Sequence, residues 1–446
     1  MRRVLPSFQP RGEASSSGYV KTAGYLGVVY GLAGGLTYGF FAVCSHVLNP
    51  ADYGEIVVLW TAAFITFSTI ARPIEPFVSR SIAASEGNEQ AKRHALLLAA
   101  GIQAALALGF VVVALLFKGP LEAGLFGGEG TLYWFFLATV VGFSIGFYVR
   151  GYLAGSRKFR TFAAMLFFEG GSRFACVLIL LLGLSESPDV AAAAIALAPL
   201  GSLLPVIAVG VVGRTRTVSP AAASDLAVAP SVLSDRLRGV GKGSAFTAGV
   251  IVVMLSEQLL ISTGPLLVRD EEGAALAGFV FNELMLLIAP LLLFQAVVTS
   301  LLPHLTRLRV RGAAGFEESL DLTLRATACF AMAVASVVIL AGPALMQIAF
   351  GDNFEYPRSG LLLIALAMGF YLAATALNQA LLAQGRAVQT ALRWAVCGAF
   401  FVGWNLLAPL EPVRAVETGL LAASVLLFAS LYKLQSGAQT SAGGLS

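Results

Sequence analysis

Charged side chains inside long apolar runs are the residues of this 446-residue chain best able to do chemistry. Arg72 and Glu75 stand three residues apart, and Glu169 precedes Arg173 by four. Those spacings place the members of each pair on one face of a helix. A charge near the centre of a bilayer costs about 2.5–3.5 kcal/mol on insertion scales, so such positions are candidate functional sites.

The pair of Arg72 and Glu75 allows two interpretations. In the first, Arg72 faces a central cavity and binds a phosphate or another anion, while Glu75 partly neutralises it until the substrate arrives. In the second, the two residues form an internal ion pair beside a structural kink. Pro73 and Pro76 predict that kink, because each proline removes a backbone donor from the helix.

The other charged positions are also open to two interpretations each. Glu169 and Arg173 have the order that suits a helical ion pair, which is either structural or part of a coupling mechanism. Glu257 has no cation within four residues, so it suits a site for a proton or another cation, unless it pairs with a charge from another helix such as Arg72.

Two further adjacent polar residues, Asn282 and Glu283, lie in the eighth apolar run. These two residues either face the same cavity or face an aqueous vestibule without a specific role. We therefore predict a substrate cavity whose candidate residues are Arg72, Glu75, Glu257, Asn282 and Glu283.

The first apolar run carries small residues at every fourth position, which form a smooth stripe along one helix face. Such stripes let helices approach closely, or let one helix bend or slide against another. We predict a packing or hinge role for these residues and for Pro73 and Pro76. The glycines of the stripe are Gly27, Gly31, Gly35 and Gly39.

No enzyme motif is present. The chain contains no Walker A sequence, no Gly-x-Ser-x-Gly elbow, no His-Glu-x-x-His and no Cys-x-x-Cys. The four cysteines all lie inside apolar runs, at spacings that fit neither a metal cluster nor a disulfide framework. We expect no catalytic residue, no metal and no cofactor. An ion gradient of H⁺ or Na⁺, the membrane potential or the substrate gradient would then supply the energy.

The elements that position these residues are membrane-spanning helices. Hydrophobic residues make up 57% of the chain and charged residues 12%, about half the charged fraction of a soluble domain. An apolar run of about 20 residues spans the bilayer as a helix, because a backbone in lipid must satisfy its own hydrogen bonds. We predict about twelve such spans. Their ranges are 25–47, 55–78, 94–117, 131–150, 161–184, 190–213, 244–267, 274–302, 326–350, 360–383, 389–408 and 415–433.

Lysine and arginine are distributed very unevenly between the two sets of loops. One set holds 23 of the 29 basic residues and the other holds four, while Arg72 and Arg173 lie inside spans. The basic set is cytoplasmic by the positive-inside rule. We therefore predict a multi-pass protein of the cytoplasmic (inner) membrane with both termini in the cytoplasm, and no nucleic-acid partner.

The chain divides into two related halves. A basic segment, 214–243, is the longest loop and is predicted to be a flexible cytoplasmic linker. The N-terminal lobe is predicted at 25–213 and the C-terminal lobe at 244–433, with cytoplasmic ends at 1–24 and 434–446. Leu-Ala-Gly-Ser-Arg at 153–157 matches Leu-Ala-Gln-Gly-Arg at 382–386, each after the fourth span of its half, and Gly54 matches Gly278 more weakly. Substrates of such repeat folds bind between the halves.

Four short segments carry a family resemblance. They are LNPADYG at 48–54, RGYLAGSRKF at 150–159, LLPHL at 301–305 and AFGDNF at 349–354. With the span pattern, they make the chain resemble the polysaccharide-exporter (Wzx-like) branch of the multidrug/oligosaccharidyl-lipid/polysaccharide (MOP) flippase superfamily.

The resemblance implies an all-α, V-shaped fold of two six-helix lobes, similar to MATE transporters. It implies a cavity lined mainly by spans one, two, seven and eight, alternating access, and a polyprenyl-pyrophosphate-linked glycan as substrate. The implied partners are the lipid bilayer, this glycan and other polysaccharide-assembly membrane proteins, with the chain acting as a monomer. A MATE-like ion-coupled exporter of a small amphipathic solute is the second hypothesis. A membrane enzyme or a non-transporting membrane subunit is the third.

Overall fold

A computed structural model describes residues 13–85, 88–184, 187–213, 248–286, 288, 290 and 316–443 of the chain. These residues form sixteen α-helices and no strand. In the first half the helices are α1 (Glu13–Val47), α2 (Pro50–Ile70), α3 (Ile74–Ala84), α4 (Glu89–Leu116), α5 (Lys118–Phe126), α6 (Gly130–Gly155), α7 (Phe159–Leu181), α8 (Pro188–Gly201) and α9 (Leu204–Gly213). In the second half they are α10 (Ala248–Ser262), α11 (Gly264–Glu272), α12 (Ala274–Leu286), α13 (Phe316–Phe350), α14 (Arg358–Ala383), α15 (Ala387–Leu407) and α16 (Pro412–Gly443).

The fold is an all-α, multi-pass membrane architecture. Ten helical segments of the described chain are long and apolar enough to cross a bilayer, and each falls on a predicted span. The predicted spans seven and eight correspond to the shorter apolar helices α10 and α12. The predicted linker at 214–243 lies outside the described residues.

The two predicted cytoplasmic ends are helical where the structure describes them. Helix α1 already begins at Glu13, inside the predicted segment 1–24. Helix α16 continues to Gly443, inside the predicted tail 434–446. The hydropathy pattern marks where the lipid-soluble part of a helix ends, and an α-helix can continue past that point into water.

The second span is broken where the prolines predict a kink. Helix α2 ends at Ile70, and α3 starts at Ile74 after a turn. Pro73 occupies the N-cap of α3, and Pro76 lies in its first turn, where a missing backbone donor costs little. The sixth span is interrupted in a similar way between α8 and α9.

The helices pack mainly within their own half. Helices α1 to α9 contact one another extensively, as do α11 and α13 to α16, whereas the main described contacts between the halves join α1 to α13 and α2 to α11. Large apolar side chains such as Leu116, Leu340 and Leu407 are exposed. A surface of this kind suits lipid, because apolar side chains that face lipid do not need to be buried inside the protein.

Both matched segments end a helix with the same hydrogen-bonded turn. In the first, Lys158 N donates to Leu153 O across a left-handed Arg157. In the second, Arg386 N donates to Leu381 O across a left-handed Gly385. This is the Schellman arrangement at a helix C-terminus. The two turns are therefore equivalent, but shifted by one residue from the sequence match.

Candidate functional site

A cavity of about 770 Å³ lies between the two lobes. Helices α1, α2 and α7 line it from the first lobe, and α10, α11, α12, α14 and α15 from the second. The resemblance implied walls from spans one, two, seven and eight; the structure adds α7, α14 and α15. Its principal polar and aromatic lining residues are Thr37, Tyr38, Trp60, Thr61, Phe64, Glu169, Arg173, Glu257, Gln258, Ser262, Tyr371, Thr375, Asn378, Gln379 and Trp394.

Arg173 is the cation of the first-lobe wall. Its side chain is buried, and its guanidinium carbon lies 4.3 Å from the centre of the Trp60 ring. Nη1 donates to Thr37 Oγ1 at 3.3 Å. Nε and Nη2 have no hydrogen-bond partner among the described residues, although Nη2 stands 4.0 Å from Glu169 Oε1. Two of its nitrogens thus keep donor capacity that no described residue uses through a hydrogen bond.

Glu169 pairs more closely with an arginine at the end of the predicted fourth span. Arg150 Nη2 lies 2.7 Å from Glu169 Oε2, so Glu169 bridges Arg150 and Arg173. The structure places Arg150 in α6, with its side chain buried. Its position at the end of an apolar run made it look like a flanking loop residue, and no spacing rule links it to Glu169.

Glu257 is the anion of the second-lobe wall. Tyr371 Oη donates to Glu257 Oε1 at 2.6 Å, and the Tyr371 ring lies edge-on to Trp394. The suggested ion pair between Glu257 and Arg72 is absent among the described residues, because no nitrogen of Arg72 comes within 4.0 Å of an acidic oxygen there.

Arg72 and Glu75 do not line the cavity. The side chain of Arg72 is exposed, and Glu75 is half-buried. The two form no ion pair with each other in the described part of the chain. The physical reason is the break between α2 and α3. Arg72 stands in the turn and Glu75 in the next helix, so the rule that residues three apart share a helix face does not apply.

Asn282 and Glu283 also lie outside the cavity lining, although Phe281 and Leu284 belong to it. Asn282 is fully buried at the contact between the lobes, and Glu283 is buried beside Glu417 of α16. The alternative of an aqueous vestibule requires exposed side chains, whereas both are buried in this structure.

Asn282 is the centre of a hydrogen-bonded contact at the predicted outer ends of the helices. Tyr53 Oη donates to Asn282 Oδ1, and Asn282 Nδ2 donates to Tyr356 Oη at 2.9 Å. Nearby, Ser45 Oγ donates to Phe350 O at 2.7 Å. We call this contact, with Gly54 and Gly278, the outer seam.

Two of the resemblance segments meet at the outer seam. In the first, Asn49 caps α2 and Pro50 begins it, which positions Tyr53 against the other lobe. In the second, Asn353 Nδ2 donates to Ser45 O at 3.0 Å, and the Phe354 ring packs on Tyr53. Their residue types therefore serve the contact between the lobes.

Glycine is required at the middle of the outer seam. A Cβ on Gly54 would lie 1.8 Å from Ala274 O, so any side chain there would separate the lobes. A Cβ on Gly278 would lie 2.8 Å from the Tyr53 ring and 3.5 Å from Gly54 Cα. The two glycines that match between the halves thus face each other across the seam.

The glycine stripe of α1 packs tightly at one position only. A Cβ on Gly39 would lie 3.0 Å from the Phe174 ring. Within the described residues, no atom lies within 4 Å of a Cβ built on Gly27, Gly31 or Gly35, and Gly31 and Gly35 line the cavity. In this part of the structure the stripe is therefore chiefly a smooth wall beside open space.

The described residues contain no group of three or more His, Cys, Asp or Glu that could hold a metal ion. All four cysteines are free.

No family model and no curated protein matches the sequence. Solved structures do match. An inward-facing multidrug resistance MATE family transporter of the MOP superfamily aligns with a TM-score of 0.64 at 15% identity, over 92% of this chain and 95% of that one. The Vibrio cholerae MATE transporter VcmN, as a mutant, aligns with a TM-score of 0.61 at 16% identity, over 96% and 99%. A MOP superfamily transporter from Pyrococcus furiosus, described by the reverse polarity of its binding pocket, aligns with a TM-score of 0.60 at 14% identity, over 95% and 96%.

These likenesses run along nearly the whole length of both chains. The protein therefore has the fold of MATE family transporters of the MOP superfamily, a multi-pass membrane transporter fold.

Proposed function

We propose that this protein is a cytoplasmic-membrane transporter that flips a polyprenyl-pyrophosphate-linked oligosaccharide by alternating access, for the assembly of cell-surface polysaccharide. The observation that carries the proposal is Arg173, a buried cation on the wall of the cavity between the lobes, two of whose nitrogens form no hydrogen bond with the described residues. An anionic headgroup is the type of ligand that a guanidinium binds best.

In this proposal, Arg173 binds the pyrophosphate. A guanidinium presents a planar fork of donors that matches phosphate oxygens, and its stacking on Trp60 fixes the direction of that fork. Glu169, held by Arg150, sets how much positive charge remains available. Arg173 therefore replaces Arg72 as the first-lobe residue that we propose to bind the headgroup.

The opposite wall suits the sugars. Its side-chain amides, Gln258, Asn378 and Gln379, can both donate and accept hydrogen bonds, and Tyr371 and Trp394 supply apolar ring surfaces. The open space beside the glycine stripe of α1 gives the polyprenyl chain a route towards lipid.

The outer seam closes the predicted outer side of the cavity. Tyr53 lies seven residues from Trp60 of the cavity wall, about 10 Å along the helix. A headgroup would load from the cytoplasmic leaflet in this state, and separation of the seam would release it outside.

A second candidate is a MATE-like, ion-coupled exporter of a small amphipathic solute. It is favoured by the fold neighbours, one of which is a multidrug resistance transporter, and by the carboxylate of Glu257 on the second-lobe wall. Because the fold neighbours named above are transporters, both candidates rank above a membrane enzyme or a non-transporting subunit.

The test measures the orientation of the lipid-linked oligosaccharide in membranes of a deletion strain that has no other flippase for that lipid. The strain is complemented with wild type, Arg173→Ala, Arg72→Ala or Arg325→Ala. Arg325 is the matched control, an exposed arginine whose acidic neighbour is on its own helix.

We expect accumulation on the cytoplasmic leaflet that every version except Arg173→Ala relieves. Unchanged orientation in the deletion strain would overturn the flippase proposal and direct the work to a solute-efflux screen. Full relief by Arg173→Ala would remove the assignment of Arg173 to the headgroup.

A further inference from the structure

Two carboxylates lie buried together beside the outer seam, outside the central cavity. Glu283 of α12 is 1% exposed, and Glu417 of α16 is 0% exposed. In each residue, Oε1 has no hydrogen-bond partner among the described residues. Buried polar atoms without partners are rare in folded proteins and indicate a missing ligand, water or proton.

The fold brings the two unpartnered oxygens to one point. That point is the position that a Cβ on Gly360 of α14 would take. It lies 2.0 Å from Glu417 Oε1 and 3.2 Å from Glu283 Oε1. The two oxygens therefore face the same small space, which exists because residue 360 has no side chain.

Arg414 is the cation beside the two carboxylates in the described part of the chain. Arg414 Nη1 lies 2.7 Å from Glu417 Oε2, and its Nη2 donates to Ser359 Oγ at 2.7 Å. Among the residues that the structure describes, the other charged or titratable groups that face Glu283 are Glu417 and Tyr356. With both carboxylates ionised, this cluster of two acids and one arginine would keep an unbalanced negative charge away from water, which is strongly unfavourable.

A proton removes that imbalance with the groups present. Two carboxylates that share a site hold one proton between them, and the protonated carboxyl group donates a hydrogen bond to the other carboxylate. A hard metal cation such as Ca²⁺ takes six to eight oxygen ligands, whereas the described residues offer two unpartnered carboxylate oxygens.

We propose that Glu283 and Glu417 form a proton-binding site that is reached from the predicted outer face past Arg414. The proton comes from water at that face and is held between Glu283 Oε1 and Glu417 Oε1. Tyr356, which accepts from Asn282 in the outer seam, also faces Glu283 and so joins the site to the seam. The site stands on its own geometry; its use as the coupling site for transport rests on the proposed function.

The experiment is infrared difference spectroscopy of the purified, lipid-reconstituted full chain at neutral pH, in the region of the protonated carboxyl C=O stretch. Substrate is not needed, so the result does not depend on the flippase proposal. The variants are Glu283→Gln, Glu417→Gln and the control Glu122→Gln, whose carboxylate pairs with Lys118 at the predicted outer surface.

We expect wild type and Glu122→Gln to share a protonated-carboxyl band that is lost in Glu283→Gln. In Glu417→Gln it should be lost too, because Arg414 is then free to neutralise Glu283. If only one of the two glutamine variants folds, that variant carries the test.

An unchanged band in the folded variants would overturn the proposal. So would the absence of the band in wild type, since the site would then hold no proton. Transport driven by a pH gradient in proteoliposomes is a separate assay, and its failure with an intact band would count against the coupling role alone.

Discussion

Removing one hydroxyl from the outer seam should open it measurably. Tyr53→Phe keeps the ring that packs on Phe354 and deletes only the hydrogen bond to Asn282. A hydrogen bond of this kind contributes about 0.5–1.5 kcal/mol net, and leaving its buried acceptor without a partner costs about 1–3 kcal/mol instead, so we take about 1–2 kcal/mol, the middle of the span of these two figures. A net shift of about 1–2 kcal/mol changes the ratio of closed to open seam by about five- to thirtyfold.

Cys44 provides a native reporter for this change. It is fully buried and directly precedes Ser45, which donates to Phe350 across the seam. In a chain whose other cysteines are replaced by serine, a membrane-impermeant maleimide added outside intact cells should label Cys44 slowly. Tyr53→Phe should raise that rate by about five- to thirtyfold, in proportion to the open population.

Tyr148→Phe is the matched control. It removes a tyrosine hydroxyl that donates to Leu96 O at 3.1 Å within the first lobe, so it should leave the labelling of Cys44 unchanged. Gly54→Val is the positive control, because its side chain would collide with Ala274 O. If Gly54→Val speeds labelling but Tyr53→Phe does not, the hydrogen-bonded chain contributes nothing to closure and the reasoning from Asn282 is refuted.

Three further predictions follow from contacts elsewhere. Gly360→Ala should lower the free energy of unfolding by about 1–3 kcal/mol, seen as a lower thermal midpoint in detergent, because its Cβ would displace a buried carboxylate. Arg150→Ala should cost about 3–5 kcal/mol by the same measurement, since it leaves Glu169 without its close partner, and a smaller loss when combined with Glu169→Gln would confirm the pairing. Arg72→Ala and Glu257→Ala should act additively on transport rates, and a strong departure from additivity would show that the two residues interact in another state.

Hydrophobicity predicted the positions of the ten long apolar helices, because length and polarity decide which segments can enter lipid. The kink at Pro73 was predicted for a similarly local reason, the missing backbone donor. Neither kind of reasoning places a residue around the helix axis relative to another helix. Asn282 was therefore recognised as an unusual polar residue but assigned to the cavity, although the neighbouring Phe281 lines it.

The candidate site depended on contacts between helices, which spacing rules do not reach. Arg173 was recognised because Glu169 stands four residues before it. The closer partner of Glu169 is Arg150, which lies nineteen positions before Glu169 on α6. Glu417 was not singled out because it stands near the start of its span, where a charge is inexpensive. Only the packing of α16 on α14 shows that its side chain is removed from water.

The closed outer seam also has an electrical consequence. Water that enters the cavity from the cytoplasmic side would carry the potential of that side inwards as far as the seam. Most of the membrane voltage would then fall across the thin layer that contains Asn282. A charge that crosses the full voltage gains about 2.3 kcal/mol per 100 mV. In this state the voltage would act on groups at the seam, such as Glu283, and hardly at all on a phosphate beside Arg173.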